Sequence, residues 1–229
     1  MKRFLIILFI VTGISYGQTE YSFDYMLHYK HTNHIDSTKS KTIYFLTNSK
    51  DNSYSARITN KDSLNFNIHF FKYDLFISNV VISKKNFKIA EFIGIECKNV
   101  FHSSNPYKYK VKDYDYVKLE SQDSLEIYEI KNIKPKKERK IKNTATYVLK
   151  FNTSHPYHLP NLYEATPYEE WNVERDLPNN FISELLIYNS KNELESSEIL
   201  VEYIKIDKKI KIITDECGDF YLDKILKIK

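Results

Sequence analysis

The chain has 229 residues, with 34 Lys or Arg against 30 Asp or Glu, and its formal charge of +4 is too nearly balanced to draw the protein as a whole onto nucleic acid. Of its four glycines, only Gly94 and Gly218 lie beyond residue 17, which excludes phosphate-cradling loops, dinucleotide loops and the nucleophile elbow. Each of those motifs needs glycine, either to let backbone amides approach a ligand or to hold a sharp turn.

The first element is a leader. Lys2 and Arg3 precede an apolar run from Phe4 to Ile14, and Ser15 and Gly17 place small side chains at the minus-three and minus-one positions of a cleavage site. The eleven-residue run is too short for a bilayer span of about 20 residues, and no later segment approaches that length. Residues 1–17 therefore read as a secretory signal peptide and 18–229 as one exported domain, periplasmic or extracellular, with no transmembrane segment after signal removal. Loss of Lys2 and Arg3 takes the charge from +4 to +2. Cys97 and Cys217 then lie in a compartment where disulfides persist. Paired, they close a loop of about 120 residues and stabilise the fold by ~4–5 kcal/mol on the chain-entropy model; the alternative is two buried thiols.

Beyond the leader, strand signals follow in sequence. In YSFDYMLHYK, Tyr21, Phe23, Tyr25, Leu27 and Tyr29 alternate with polar residues, the period of a half-buried strand. LNFNIHFF repeats this with Leu64, Phe66, Ile68 and Phe70 on one face. Similar runs span 42–47, 53–59, 73–82, 87–93, 107–119, 125–131, 145–151, 181–188, 198–206 and 208–213, separated by turn clusters at 48–52, 60–63 and 189–193. So many short strands with almost no helical period predict a mainly β fold, a single-domain antiparallel meander. A sheet of that size must curl into a strongly curved sheet or open half-barrel, or split into layers. Tyr and Phe, 19 and 14 in number, suit such pleated surfaces.

Several clusters invite chemistry. His28, His31 and His34 are three apart, a metal-binding spacing on a helix, but residues three apart on a strand point to opposite faces, so they read as surface histidines at a turn following Lys30. His155 and His158 stand in a proline-bearing loop without a third ligand, and no metal or other cofactor motif accompanies either group. The basic run 133–143 offers a patch for anionic lipid, lipopolysaccharide or nucleic acid. Export speaks against nucleic acid, and the run reads more simply as a solvated connection whose charge discourages edge pairing.

Residues 159–180, LPNLYEATPYEEWNVERDLPNN, hold the sole Trp and five carboxylates. A pair of carboxylates about 5–10 Å apart can hydrolyse a glycoside, and Tyr163, Tyr168 and Trp171 could stack on a sugar. Capping gives most of the stretch a structural task. Thr166 at the N-cap, Pro167 at the first helical position and Glu169 three after the cap predict a short helix near 167–176. Glu170 and Glu174 fall on its wet face, while Leu177 before Pro178 ends it. Tyr168 and Trp171 are left as core anchors or a pocket wall, with Tyr163 beside them and Glu164 the one carboxylate without a structural role.

An exported antiparallel meander with a short helix in its C-terminal third resembles the lipoprotein-carrier (LolA-like) half-barrels. The stretch LPNNFISELLIYNSKNE is similar to the signature of the secreted GLPGLI family at Leu177, Pro178, Ile182 and Glu184, though that motif's two glycines are absent and one residue is inserted. The resemblance implies a curved sheet with a helix over its concave face, and no established chemistry. The expected function is that of a non-enzymatic envelope protein. It would bind an apolar or amphipathic, lipid-like ligand, or another envelope protein, in the concavity of the sheet, through Tyr163, Glu164, Tyr168 and Trp171. The rivals are a carbohydrate-active hydrolase using carboxylates of 164–176 and a purely structural component.

Overall fold

The computed structural model describes residues 19–72, 75–96, 100–102, 114–122, 124–132, 145–154 and 178–213. The leader, the basic run 133–143, His155, His158, the helix expected near 167–176 with Tyr163, Glu164, Tyr168 and Trp171, and both Cys97 and Cys217 lie outside them.

Strands β1 (Thr19–Asn33), β2 (Lys41–Asn48), β3 (Asp51–Asn60), β4 (Asn65–Lys72) and β5 (Leu75–Ser83) form one antiparallel meander. Helix α1 (Lys84–Ile89), β6 (Phe92–Glu96) and β7 (Val100–His102) follow. A second meander comprises β8 (Tyr114–Gln122), β9 (Leu125–Asn132), β10 (Thr146–Asn152), β11 (Ile182–Tyr188) and β12 (Leu194–Ile213). Pairing of β1 with β12 joins the two into one sheet ordered β7, β5, β4, β3, β2, β1, β12, β11, β10, β9, β8, whose end strands do not meet. The mainly β, open antiparallel sheet expected from the alternation is thus what forms. One pairing departs from it: β6 lies parallel to the C-terminal end of β12.

The odd residues of β1 from Tyr21 to Tyr29 are buried, as their alternation requires, but they serve two cores. Tyr25, Leu27 and Tyr29 pack with Ile43, Phe45 and Phe181. Tyr21 and Phe23 lie ahead of the first residue paired with β2, Tyr25, and join Phe70, Ile58, Ile95 and Ile210 instead. A third cluster, Tyr128, Ile130, Leu149, Phe151, Ile182 and Leu185, covers β9 to β11. Phe23, Phe70, Phe151 and Phe181 are fully enclosed, and each such side chain is worth roughly 1.5–3 kcal/mol of transfer free energy.

The turns form where polar residues supply their own hydrogen bonds. Asn189 accepts at Oδ1 from the amides of Lys191 and Glu193, and Asn192 takes φ = 63°, a left-handed conformation that Asn tolerates better than most residues. Asn48 and Asp62 accept from following amides in the same manner.

Four sequence expectations are corrected. Residues 87–93 are not one strand, because the Ser83 hydroxyl caps α1 by accepting from the Asn86 amide and Phe87 packs into the core. Leu64 does not share the face of Ile68 and Phe70; it stands before β4 and is 72 % exposed. The runs 198–206 and 208–213 are one continuous strand, since pairing with β1 carries β12 through Asp207. Finally, β1 does not turn after Lys30 but runs to Asn33, which places His31 within a strand.

Candidate functional site

β12 is a continuous strand with a discontinuous neighbour. Along one side β1 accompanies it from Ser196 to Ile212. Along the other, β11 pairs with Leu194–Ile199 and β6 with Lys209–Ile213, so among the described residues no strand pairs with 200–208 on that side. Two bulges account for the opening. His28 faces Glu202 while Tyr29 faces Leu200, leaving Val201 as an extra residue in β12. Lys150 faces Glu184 while Phe151 faces Ile182, leaving Ser183 extra in β11. Bulges bend a strand and raise its twist, and these two lie side by side, so β11 and β12 diverge from that point.

The divergence creates a cleft of ≈ 300 Å³ lined by Asn152, Ser183, Leu200, Val201, Glu202 and Tyr203. Its frame is fixed by hydrogen bonds to the start of β11. The buried Tyr29 hydroxyl donates to the Ile182 carbonyl at 2.7 Å, and the Asn152 amide donates to the Phe181 carbonyl at 3.1 Å. Burial, with the Glu198 charge adding to it, holds the Tyr29 phenol well above the ordinary tyrosine range, so it stays a donor. Phe181 stands between Tyr25 and Tyr203, with ring centroids 5.7 Å and 4.8 Å away. Along β12 the large apolar side chains of Ile199, Val201, Tyr203 and Ile204 are 46 %, 58 %, 37 % and 40 % exposed, with Tyr203, opposite Leu27, and Ile204, opposite Met26, on opposite faces of the sheet. Glu202 and Lys205, also exposed, stand among them and make no ion pair with a described residue.

The histidines expected at a surface turn are placed differently. His28 lies against the Tyr44 ring with centroids 4.8 Å apart. His31 Nδ1 is 3.0 Å from Glu198 Oε1, a carboxylate of 5 % side-chain exposure. His34 Nε2 is 3.0 Å from Ser197 Oγ. Since Thr32 faces Ser197 and His31 faces Glu198 across the ladder, the His31–Glu198 and His34–Ser197 pairs project from opposite faces of the sheet. Neither can orient the other, so a serine, a histidine and an acid do not converge here, and the three imidazoles do not share a ligand position.

Tyr163, Glu164, Tyr168 and Trp171, singled out by the sequence, lie outside the described residues. The residues that line the cleft were passed over. A local signal was present: Ile199-Leu200-Val201 are three successive apolar residues, which breaks the period-2 pattern and is compatible with a bulge.

The described residues define an open antiparallel sheet with a cleft of mixed polar and apolar lining beside its long strand β12. No protein-family model and no curated protein matches the chain. Among solved structures it is similar to a LolA superfamily protein, NE2245 from Nitrosomonas europaea, at 11 % identity over 80 % of this chain and 84 % of that one, with a TM-score of 0.29. Neither site nor ligand is transferred from that protein. No helix among the described residues is long and apolar enough to cross a membrane.

Proposed function

We propose that the protein is an exported, single-domain, non-enzymatic binding module, and that its ligand is apolar or amphipathic and docks on β12 between the ends of β11 and β6. The observation that carries this reading is the concentration of exposed apolar residues in one stretch of β12, Ile199, Val201, Tyr203 and Ile204, distributed over both faces of the strand at the Ser183–Val201 cleft. Large apolar side chains grouped on a surface mark an interaction site more often than scattered single ones do. The described interior is filled by three close-packed clusters, and ≈ 300 Å³ is at the small end of ligand pockets. The reading therefore places the ligand along an edge and not in the enclosed concavity of a half-barrel. Export rests on the leader pattern of residues 1–17.

Titration of the protein lacking residues 1–17 with a dansyl-labelled fatty acid tests this. Saturable binding that is lost in Val201→Lys and in Ile204→Lys, but kept in Leu64→Lys at an exposed site elsewhere, is the expected result. Binding that is absent, or equal in all three variants, overturns the proposal.

A further inference from the structure

We infer that helix α1 and the two segments tied to it dock the protein on an anionic phospholipid surface, with Ile89, Phe92 and Leu64 entering the interface and lysines meeting the headgroups. This surface is separate from the β12 cleft and does not depend on the ligand proposed there. Phe87 is buried in the core, its ring centroid 5.3 Å from that of Phe66, and so fixes which side of α1 faces inward. Lys85 and Ile89 lie two positions before and after it, so at 3.6 residues per turn they share the opposite, outward side. Ile89 is 73 % exposed. Phe92 begins β6, where exposed positions alternate with the buried Ile93 and Ile95, and is 53 % exposed.

Backbone hydrogen bonds hold these side chains together. The Lys84 amide donates to the Leu64 carbonyl at 2.8 Å, which sets the exposed Leu64 against the start of α1. Beyond the helix the Lys209 amide donates to the Glu91 carbonyl at 3.0 Å, and the Lys208 ammonium donates to the carbonyls of Lys88 and Ala90. Lys208 thereby closes the helix C-terminus and ties α1 to β12. Large apolar side chains held outward by fixed backbone and rimmed by polar residues mark a protein or a membrane contact. The rim is cationic. Lys61, Lys84, Lys85 and Lys88 stand beside the three apolar residues, and of the nearby carboxylates Asp62 is engaged by the amides of Leu64 and Asn65. Lys211 Nζ lies 4.5 Å from the centre of the Phe92 ring, and Glu20 is shared by Lys209 and Lys211 at 2.8 Å and 3.4 Å. Lysine stems lie along apolar surface and carry their charge outward, so the ammonium groups reach anionic headgroups while Ile89 and Phe92 enter below them. An acidic protein would satisfy the lysines but would need a socket for each protruding side chain. A bilayer interface accepts both without one.

The test uses the protein lacking residues 1–17, which contains every described residue, and vesicles of phosphatidylcholine with or without about 30 % phosphatidylglycerol. Co-sedimentation should show saturable binding to the anionic vesicles, weakened by salt and at least about tenfold weaker on the neutral ones. Ile89→Ser with Phe92→Ser and, separately, Lys85→Glu with Lys88→Glu should each weaken it by about tenfold or more. Ile35→Ser, at an exposed site between β1 and β2, and Val201→Lys at the cleft should keep it. If the lysine variant loses binding while the Ile89 and Phe92 variant keeps it, the surface takes an acidic protein or polyanion and membrane docking is wrong. Absence of binding to anionic vesicles, or equal binding by every variant, also overturns it. In each case the fatty-acid titration decides the β12 site on its own.

Discussion

Phe181→Ala probes the framework of the cleft. The ring is 1 % exposed and closes the core of Tyr25, Leu27, Tyr29, Ile43 and Phe45 at the point where the chain enters β11. Loss of a fully buried Phe removes about 3 kcal/mol of transfer free energy, and the contacts with Tyr25 and Tyr203 add about 1 kcal/mol each. The sum, about 4–5 kcal/mol, is at the upper end of measured Phe-to-Ala costs and is a third or more of a typical domain's stability. With a urea dependence of about 2 kcal/mol/M, the unfolding midpoint should fall by roughly 2 M, read by far-UV circular dichroism. Phe181→Leu keeps most of the volume and should cost about 1.5 kcal/mol or less. In a double-mutant cycle, Tyr203→Leu should couple to Phe181→Ala by about 1 kcal/mol, since the two rings touch. A midpoint shift below about 0.3 M for Phe181→Ala, or strict additivity with Tyr203→Leu, would refute the placement of Phe181 as the ring that fixes the cleft wall.

His31→Ala and Glu198→Ala should each destabilise by about 1–2 kcal/mol by removing the 3.0 Å hydrogen bond between them, whereas the double change to Leu should cost distinctly less than the sum; urea unfolding of the four proteins checks this. Tyr29 titrates above its ordinary value in the folded protein, so its contribution is complete below pH ~10 and is lost as pH rises above that, at about 1.4 kcal/mol per pH unit; a Tyr29→Phe variant should lose that slope in alkaline denaturation while forfeiting the bond to Ile182. Asn192→Val should cost about 1–2 kcal/mol through its φ of 63°, and Asn192→Gly little or nothing, as thermal unfolding of both will show. Val201→Lys should alter stability by no more than about 0.5 kcal/mol while removing ligand binding, a separation that a purely structural role for this edge does not predict.

The strands β1 to β4, β9 and β10 were legible because alternate residues in each are the more buried ones, and alternation reports that directly. Tyr21 to Tyr29 is the clearest case, and the turns at 48–52, 60–63 and 189–193 were marked by the Asn and Asp residues that now bond to them. What alternation could not convey is partnership. Tyr21 and Tyr25 carry the same pattern yet enter different cores, because the choice depends on where β2 begins to pair. The parallel docking of β6 was illegible for the same reason. Helix α1 was misread because six residues are too few to display a helical period, although Ser83 offered a cap. Residues 159–177, marked in the sequence by the single Trp and clustered acids, lie outside the described residues, and the cleft that is described is built by a serine and a valine whose importance lies in an offset of register. A bulge leaves almost no compositional trace, so Ser183 and Val201 become notable once the pairing is known.

The most direct test is residue-resolved amide hydrogen exchange along β12, followed by two-dimensional NMR with and without ligand. Without ligand, amides of Leu194–Ile199 and Lys209–Ile213 should be uniformly protected, while Leu200–Lys208 should show an alternating pattern, with slow amides directed at β1 and fast ones at the gap. Added dansyl-labelled fatty acid should shift the peaks of Ile199–Ile204 and leave those of β3 and β4 unchanged. Uniform protection of Leu200–Lys208 in the free protein would mean that this edge is already paired, and would contradict the account.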